Sequence, residues 1–141
     1  MAELKVVFWS GSGNTEAMAD LVAKGAGDAK TVSMEDITPA DLAEEQVFAL
    51  GCPAMGDEVL EETIVEPFIE ELEKNVSGKT IGLFGSYGWG DGEWMRNWVE
   101  RMQKAGATVV NDEGVICADA PDDEAEQALR ALGEKLAQVS L

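Results

Sequence analysis

Histidine is absent from the 141-residue chain, and cysteine occurs only twice, as Cys52 and Cys117. Neither belongs to a CxxC pair. Zinc and iron–sulfur sites need several clustered soft ligands, so both are excluded. Two thiols this far apart do not make a disulfide framework either. Basic residues are scarce: 10 Lys plus Arg stand against 28 Asp plus Glu, a formal net charge of −18. Nucleic acid binding needs positive surface, so nucleic acid is a poor partner. Anionic membranes are disfavoured for the same reason. No apolar run approaches the roughly 20 residues of a spanning helix. The N-terminus Met1-Ala2-Glu3-Leu4 lacks the basic-then-apolar pattern of a signal peptide. These absences point to a cytoplasmic protein in a reducing compartment. With no signal for self-association, a monomer is the default.

What the chain does contain is 45% hydrophobic residues, enough for a core, in one domain's length, residues 1–141. Strand-like and helix-like segments alternate from end to end. Leu4–Trp9 is a short apolar run that stops at a Ser/Gly cluster. From Asn14 to about Ala26, Met18, Leu21, Val22 and Ala26 recur at helical spacing. A short strand near Ala29–Ser33 precedes Thr38-Pro39, a helix-start signal. Val47–Gly51 and Thr80–Gly85 are continuous apolar strands. Val65, Phe68, Ile69, Leu72 and Val76 mark one face of a helix, and Met95, Trp98, Val99 and Met102 another. Thr108–Val110 and Val115–Cys117 read as one edge strand interrupted at Asn111–Gly114. The last helix begins near Pro121 and carries Ala125, Leu129, Leu132 and Leu136 on one face. Five strands separated by helices predict an α/β, doubly wound parallel sheet covered on both faces. Ligands of such sheets bind beyond the carboxyl ends of the strands, where strand order reverses.

Three loops leave those ends. The first, Ser10-Gly11-Ser12-Gly13-Asn14-Thr15, offers hydroxyl and amide donors, close backbone approach and the start of a helix, all of which suit an anion. It contains no Lys or Arg, and it is neither a P-loop nor a dinucleotide fingerprint. On the hexapeptide alone, a helix cap with turn glycines accounts for the residues as well as a phosphate site does. The third loop, Ser86-Tyr87-Gly88-Trp89-Gly90-Asp91-Gly92, sets Tyr87 and Trp89 among glycines in a stretch predicted to face solvent. A flat aromatic ligand would cover Trp89. The second loop, Cys52-Pro53-Ala54-Met55-Gly56-Asp57-Glu58, offers Met55 as an apolar cover and Glu58 as an acceptor for a ring N–H. Together they describe a phosphorylated aromatic cofactor.

At these residues the chain resembles the flavodoxins, specifically the short-chain type of anaerobic bacteria. The matching motifs are Trp9-Ser10-Gly11-Ser12-Gly13-Asn14-Thr15-Glu16, Gly51-Cys52-Pro53-Ala54-Met55-Gly56-Asp57-Glu58 and Leu83-Phe84-Gly85-Ser86-Tyr87-Gly88-Trp89-Gly90. The resemblance implies strand order 2-1-3-4-5 and non-covalent FMN at the switch point. It assigns Ser10, Ser12, Gly13, Asn14 and Thr15 to the phosphate, with Ser86 assisting. Trp89 would stack on the outer face of the isoalloxazine and Met55 would lie on the inner face. Glu58 would accept from the N3 proton. Backbone groups of Gly88, Trp89 and Gly90 would meet the pyrimidine edge, with Pro53, Ala54, Tyr87 and Asp91 in the flanking loops. The family's peptide that turns over on reduction would be Gly56-Asp57. Ser12 stands where relatives often carry Thr, which keeps the hydroxyl. The fifth-strand insertion of long-chain flavodoxins is missing, and residues near Ala118–Pro121 are a candidate fourth wall of the site, although their sequence carries little signal.

The expected activity is low-potential transfer of one electron at a time between redox enzymes that dock through basic patches, where complementary charge speeds encounter. Solubility alone also accounts for acidity. Reduced flavin is an anion, and each carboxylate about 10 Å away costs it about 0.4 kcal/mol in a water-like dielectric. Several such charges lower the second potential by some tens of millivolts, since about 59 mV is a tenfold change. A flavin enzyme of the quinone-reductase kind shares the fold but needs a second-substrate site. A receiver domain needs an acceptor Asp where Leu50-Gly51-Cys52 stands. A low-molecular-weight phosphatase needs Cys and Arg in the first loop. A cofactor-free interaction module leaves Trp89 and the glycines unexplained.

Overall fold

A computed structural model describes residues 4–11, 13–56, 59–88 and 90–140. In chain order its elements are β1 (Lys5–Phe8), α1 (Asn14–Gly25), β2 (Lys30–Ser33), α2 (Pro39–Leu42), β3 (Val47–Gly51), α3 (Val65–Leu72), β4 (Thr80–Tyr87), α4 (Glu93–Lys104), β5 (Thr108–Val109), β6 (Val115–Ala118) and α5 (Asp123–Ser140). The strands lie in the order β2-β1-β3-β4-β5, and β6 continues the outer edge by pairing with β4. Every pairing is parallel: Val6 stands against Thr31 and Ala49, Phe48 against Ile81, and Gly85 against Ile116. The sheet is therefore the predicted doubly wound one.

Burial on both faces explains why the central strands lack polar alternation. Val7, Phe48, Leu50, Ile81 and Leu83 face α2, α3 and α4. Val6, Ala49 and Phe84 face α1 and α5. All eight are fully buried. On the second face, a Cβ on Gly82 would come 2.9 Å from Leu132 and Leu136, so the absent side chain lets α5 sit close to the sheet.

Three details differ from the sequence expectation. β4 runs two residues further, through Ser86 and Tyr87, because β6 supplies a neighbour for its end. Tyr87 is thus half-buried against the core, its ring 5.7 Å from that of Trp94, rather than on a solvent-facing loop. The helix of Val65–Val76 stops at Leu72 and tightens into a 3₁₀ turn over Glu73–Asn75. The edge strand is split as expected, by a 3₁₀ turn over Val110–Asp112 in which Asn111 and Asp112 take left-handed φ of 64° and 56°.

Candidate functional site

β1 and β3 are neighbours, yet α1 leaves β1 to one face and α3 follows β3 to the other. Their carboxyl ends therefore open a crevice that no helix covers, the position where doubly wound sheets bind ligands. The loop after β4 borders the same crevice. Backbone hydrogen bonds fix all three loops. Trp9 N–H donates to Gly51 O (3.0 Å), Cys52 N–H to Phe84 O (3.1 Å) and Ala54 N–H to Ser86 O (2.9 Å).

The first loop is arranged by its own hydroxyls. Ser10 Oγ accepts from the N–H of Gly13 (3.0 Å) and of Glu16 (3.3 Å), which draws the loop around the start of α1. Gly13 is the N-cap, at φ +97°. A Cβ there would meet nothing within 4 Å, so the requirement for glycine is conformational rather than steric. Thr15 Oγ1 lies 3.1 Å from Ser86 Oγ, and both residues are buried. One hydroxyl donates to the other, which leaves the second proton for a further acceptor. This bond ties α1 to β4 across 71 residues.

The second loop leaves the sheet at Cys52-Pro53 and closes as a narrow hairpin. Met55 and Val59 exchange both backbone hydrogen bonds at 2.9 Å. Gly56 takes φ +51° in that turn. Burial pushes the Cys52 thiol up to about 12, so this cysteine offers the site its backbone rather than a nucleophile. In the third loop, Arg96 donates to the Asp91 carbonyl (2.9 Å) and carboxylate (3.0 Å).

A cavity of about 390 Å³ lies where the loops meet, a volume typical of small-molecule sites. Of the residues singled out from sequence, Asn14, Pro53, Ala54, Met55, Ser86, Tyr87 and Gly88 line it. Ser10, Gly13, Thr15 and Gly56 belong to the same loops without lining it. Gly90 and Asp91 stand outside the lining. Ser12, Asp57, Glu58 and Trp89 lie outside the described residues. Gly11, which sequence reasoning left unassigned, also lines the cavity, as does Asp119, from the Ala118–Pro121 stretch expected as a fourth wall. Asp119 had one signal, its place just beyond the last strand. Its N–H donates to Tyr87 O (2.9 Å), and φ of 56° marks an unusual backbone for a residue with a side chain. Among the described lining residues, Asp119 carries the single formal charge. A larger groove of about 650 Å³ runs between α4 and β6, past Met95, Val99 and Ile116, and reaches the end of the third loop at Gly92.

The donor set fits FMN. A phosphate can be held by neutral donors beside the positive end of a helix, and the hydroxyls and amides of Ser10, Gly13, Asn14, Thr15 and Ser86 would supply them. The ring system needs a cavity with apolar walls, and Pro53, Ala54, Met55 and Tyr87 supply those.

Comparison with known proteins gives the same answer. The sequence profile of the family described as Flavodoxin matches residues 6–131. A flavodoxin from Clostridium beijerinckii is 50% identical over 140 residues, spanning 96% of this chain and all of that protein. One from Megasphaera elsdenii is 47% identical over 139 residues, spanning 96% of this chain and 98% of that one. The solution structure of two-electron reduced Megasphaera elsdenii flavodoxin superposes with a TM-score of 0.84 at 44% identity, covering 96% of this chain and 98% of the other. The chain belongs to the flavodoxins, as a short-chain member of that family of FMN-bound electron carriers, which deliver electrons to redox enzymes and are not themselves enzymes.

Proposed function

We propose that this flavodoxin is a low-potential carrier that moves one electron at a time, with residues 1–141 acting as one domain. FMN, when bound, supplies the redox chemistry. In this reading Ser10, Ser12, Gly13, Asn14 and Thr15 hold the phosphate, and Ser86 assists through Thr15. Met55 and Trp89 cover the two faces of the ring system. Glu58 would accept a hydrogen bond from N3–H, and backbone groups of Gly88, Trp89 and Gly90 would meet the pyrimidine edge. Pro53, Ala54 and Tyr87 complete the walls, and Gly56-Asp57 is the turn that responds to reduction.

The observation that carries the reading is the charge of the cavity. Its described lining contains no cation and one carboxylate, Asp119. Nothing described there neutralises a second negative charge, so the second reduction step is disfavoured. The same acidity, −18 over the chain, suits docking to basic patches on redox enzymes. The protein works in the cytoplasm as a monomer. No helix among the described residues is long and apolar enough to cross a membrane.

The test is a redox titration of the purified holoprotein followed by its visible spectrum. Two one-electron steps are expected, the second lowered. A single two-electron transition overturns the proposal. Steady oxidation of NAD(P)H by the protein alone would favour a flavin enzyme instead.

A further inference from the structure

Trp94 does not line the cavity, yet it touches both loops that border the proposed ring site. It is the second residue of α4 and is 1% exposed. Its indole Nε1 donates to the Cys52 carbonyl at 3.1 Å, inside the core and 42 residues away in sequence. Its ring packs against Tyr87, which lines the cavity, with centroids 5.7 Å apart and planes at 52°.

The Cys52 carbonyl is in a special place. Cys52 N–H still pairs with Phe84 O, and Ala54 N–H pairs with Ser86 O, but Pro53 between them has no N–H to give. The carbonyl is pressed so close to the neighbouring strand that a Cβ on Gly85 would lie 2.1 Å from it. The indole N–H is the hydrogen bond seen for that carbonyl. A buried carbonyl without a donor is costly, so losing the indole N–H would favour a shift of the peptide at the loop exit that brings its carbonyl to another donor or to water. That peptide is three residues ahead of Gly56, whose left-handed turn closes the hairpin.

We propose that Trp94 is a positioning residue: its indole N–H fixes the carbonyl at which the second loop leaves β3, and so sets the turn at Met55-Gly56 that governs the two one-electron potentials. This rests on the FMN site proposed above. Trp98 supplies the contrast. It lies one helical turn further along α4, is equally buried at 1%, and its indole Nε1 has no hydrogen-bond partner. Trp98→Phe therefore removes an equally buried indole of the same helix without removing a hydrogen bond to a site loop.

The experiment measures both one-electron potentials, FMN dissociation and urea stability for the wild-type, Trp94→Phe and Trp98→Phe holoproteins. Both variants lose stability. Trp94→Phe is expected to narrow the separation of the potentials about fivefold in equilibrium ratio, about 40 mV at 59 mV per decade. Trp98→Phe leaves the separation unchanged. If both variants shift it alike, or neither does, the proposal is overturned. If Trp94→Phe does not fold, benzothienylalanine at position 94 replaces the N–H by sulfur at nearly equal volume, and the same narrowing is required. A wild-type protein that binds no FMN would instead defeat the site assignment, an outcome read before either variant is compared.

Discussion

Glu61 holds a charge where water hardly reaches, at 7% exposure. Its carboxylate accepts from the N–H of Thr63 (3.0 Å), Ile64 (2.6 Å) and Val65 (3.1 Å), and from the Thr63 hydroxyl. These donors open α3, whose N-cap, Ile64, has no side chain able to accept them. Burial pushes the Glu61 carboxyl up, but the hydrogen bonds from Thr63, Ile64 and Val65 outweigh it and hold the group below the usual carboxylate range. A lowered folded value means that the stabilisation is complete above the unfolded carboxyl range, about 4.3, and is lost as pH falls through the folded value. Glu61→Gln is expected to cost about 1–3 kcal/mol at pH 7, and the gap to wild type should close in acid. Urea unfolding of both proteins at pH 7 and in a series towards pH 3 checks this; a constant gap would mean that the charge is not what caps the helix. Residues of this kind limit what sequence reading can reach. The Ser10–Thr15 loop could be proposed for the phosphate because its glycines, hydroxyls and amide are contiguous and stand beside two further loops at the same sheet edge. Trp94 was not legible, because the carbonyl it serves is distant in sequence and has no side-chain signature. Asp119 was legible only as part of the Ala118–Pro121 stretch, because the folded edge strand is what brings that one residue to the cavity.

At the scale of elements, α1 and α5 meet at backbone distance. A Cβ on Gly133 would lie 2.0 Å from Val22 O and 2.8 Å from Ala26 N, and one on Gly25 would lie 2.0 Å from Arg130 O. Backbone cannot yield as a side chain can, so the two glycines set the spacing of the helices. Alanine is the better helix former by about 1 kcal/mol, which alone would make Gly133→Ala stabilising. The collision reverses the sign, since overpacking typically costs about 1–3 kcal/mol and this one moves a whole helix. Thermal unfolding should show a lowered Tm, and a raised one would refute the close crossing. The opposite layer is joined differently. Arg101 on α4 donates to Glu66 on α3 at 3.0 and 2.7 Å, and to Glu73 just beyond it at 3.1 and 3.0 Å. Its guanidinium is held further above its ordinary value by those two carboxylates. The elements themselves were legible because apolar runs and apolar helix faces are local patterns. The helix ends and the two extra residues of β4 were not, because packing against β6 and a shift to a 3₁₀ turn decided them. Gly25 and Gly133 carry no local signal of their role, which comes from the partner backbone lying 2.0 Å from where a Cβ would stand.

Over the whole molecule, the excess of carboxylates decides how stability responds to salt. Among the described residues the ion pairs engage Lys5, Lys74, Arg96, Arg101, Lys104 and Arg130, while the chain sets 10 basic residues against 28 acidic ones, so carboxylates are in large excess over the cations that could pair with them. Exposed pairs such as Lys104–Glu100 contribute little each. Like-charged pairs outnumber unlike ones throughout the surface, and folding brings them together, so net self-repulsion opposes the compact state. Raising the ionic strength from about 0.01 M to about 0.15 M shortens the screening length from about 30 Å to about 8 Å. That shift removes much of the long-range repulsion while the shortest ion pairs, at about 3 Å, keep most of their attraction. Tm should therefore rise with sodium chloride over this range. A fall would show that local ion pairs, not the global excess, dominate the electrostatics of the fold. If the redox partner docks through a basic patch, as proposed above, encounter draws on the same field with the opposite sign, because screening weakens attraction between molecules as it weakens repulsion within one. Salt should accordingly slow electron delivery at low protein concentration while it stabilises the carrier, and measuring both over one salt series separates the field of the molecule from any loss of fold.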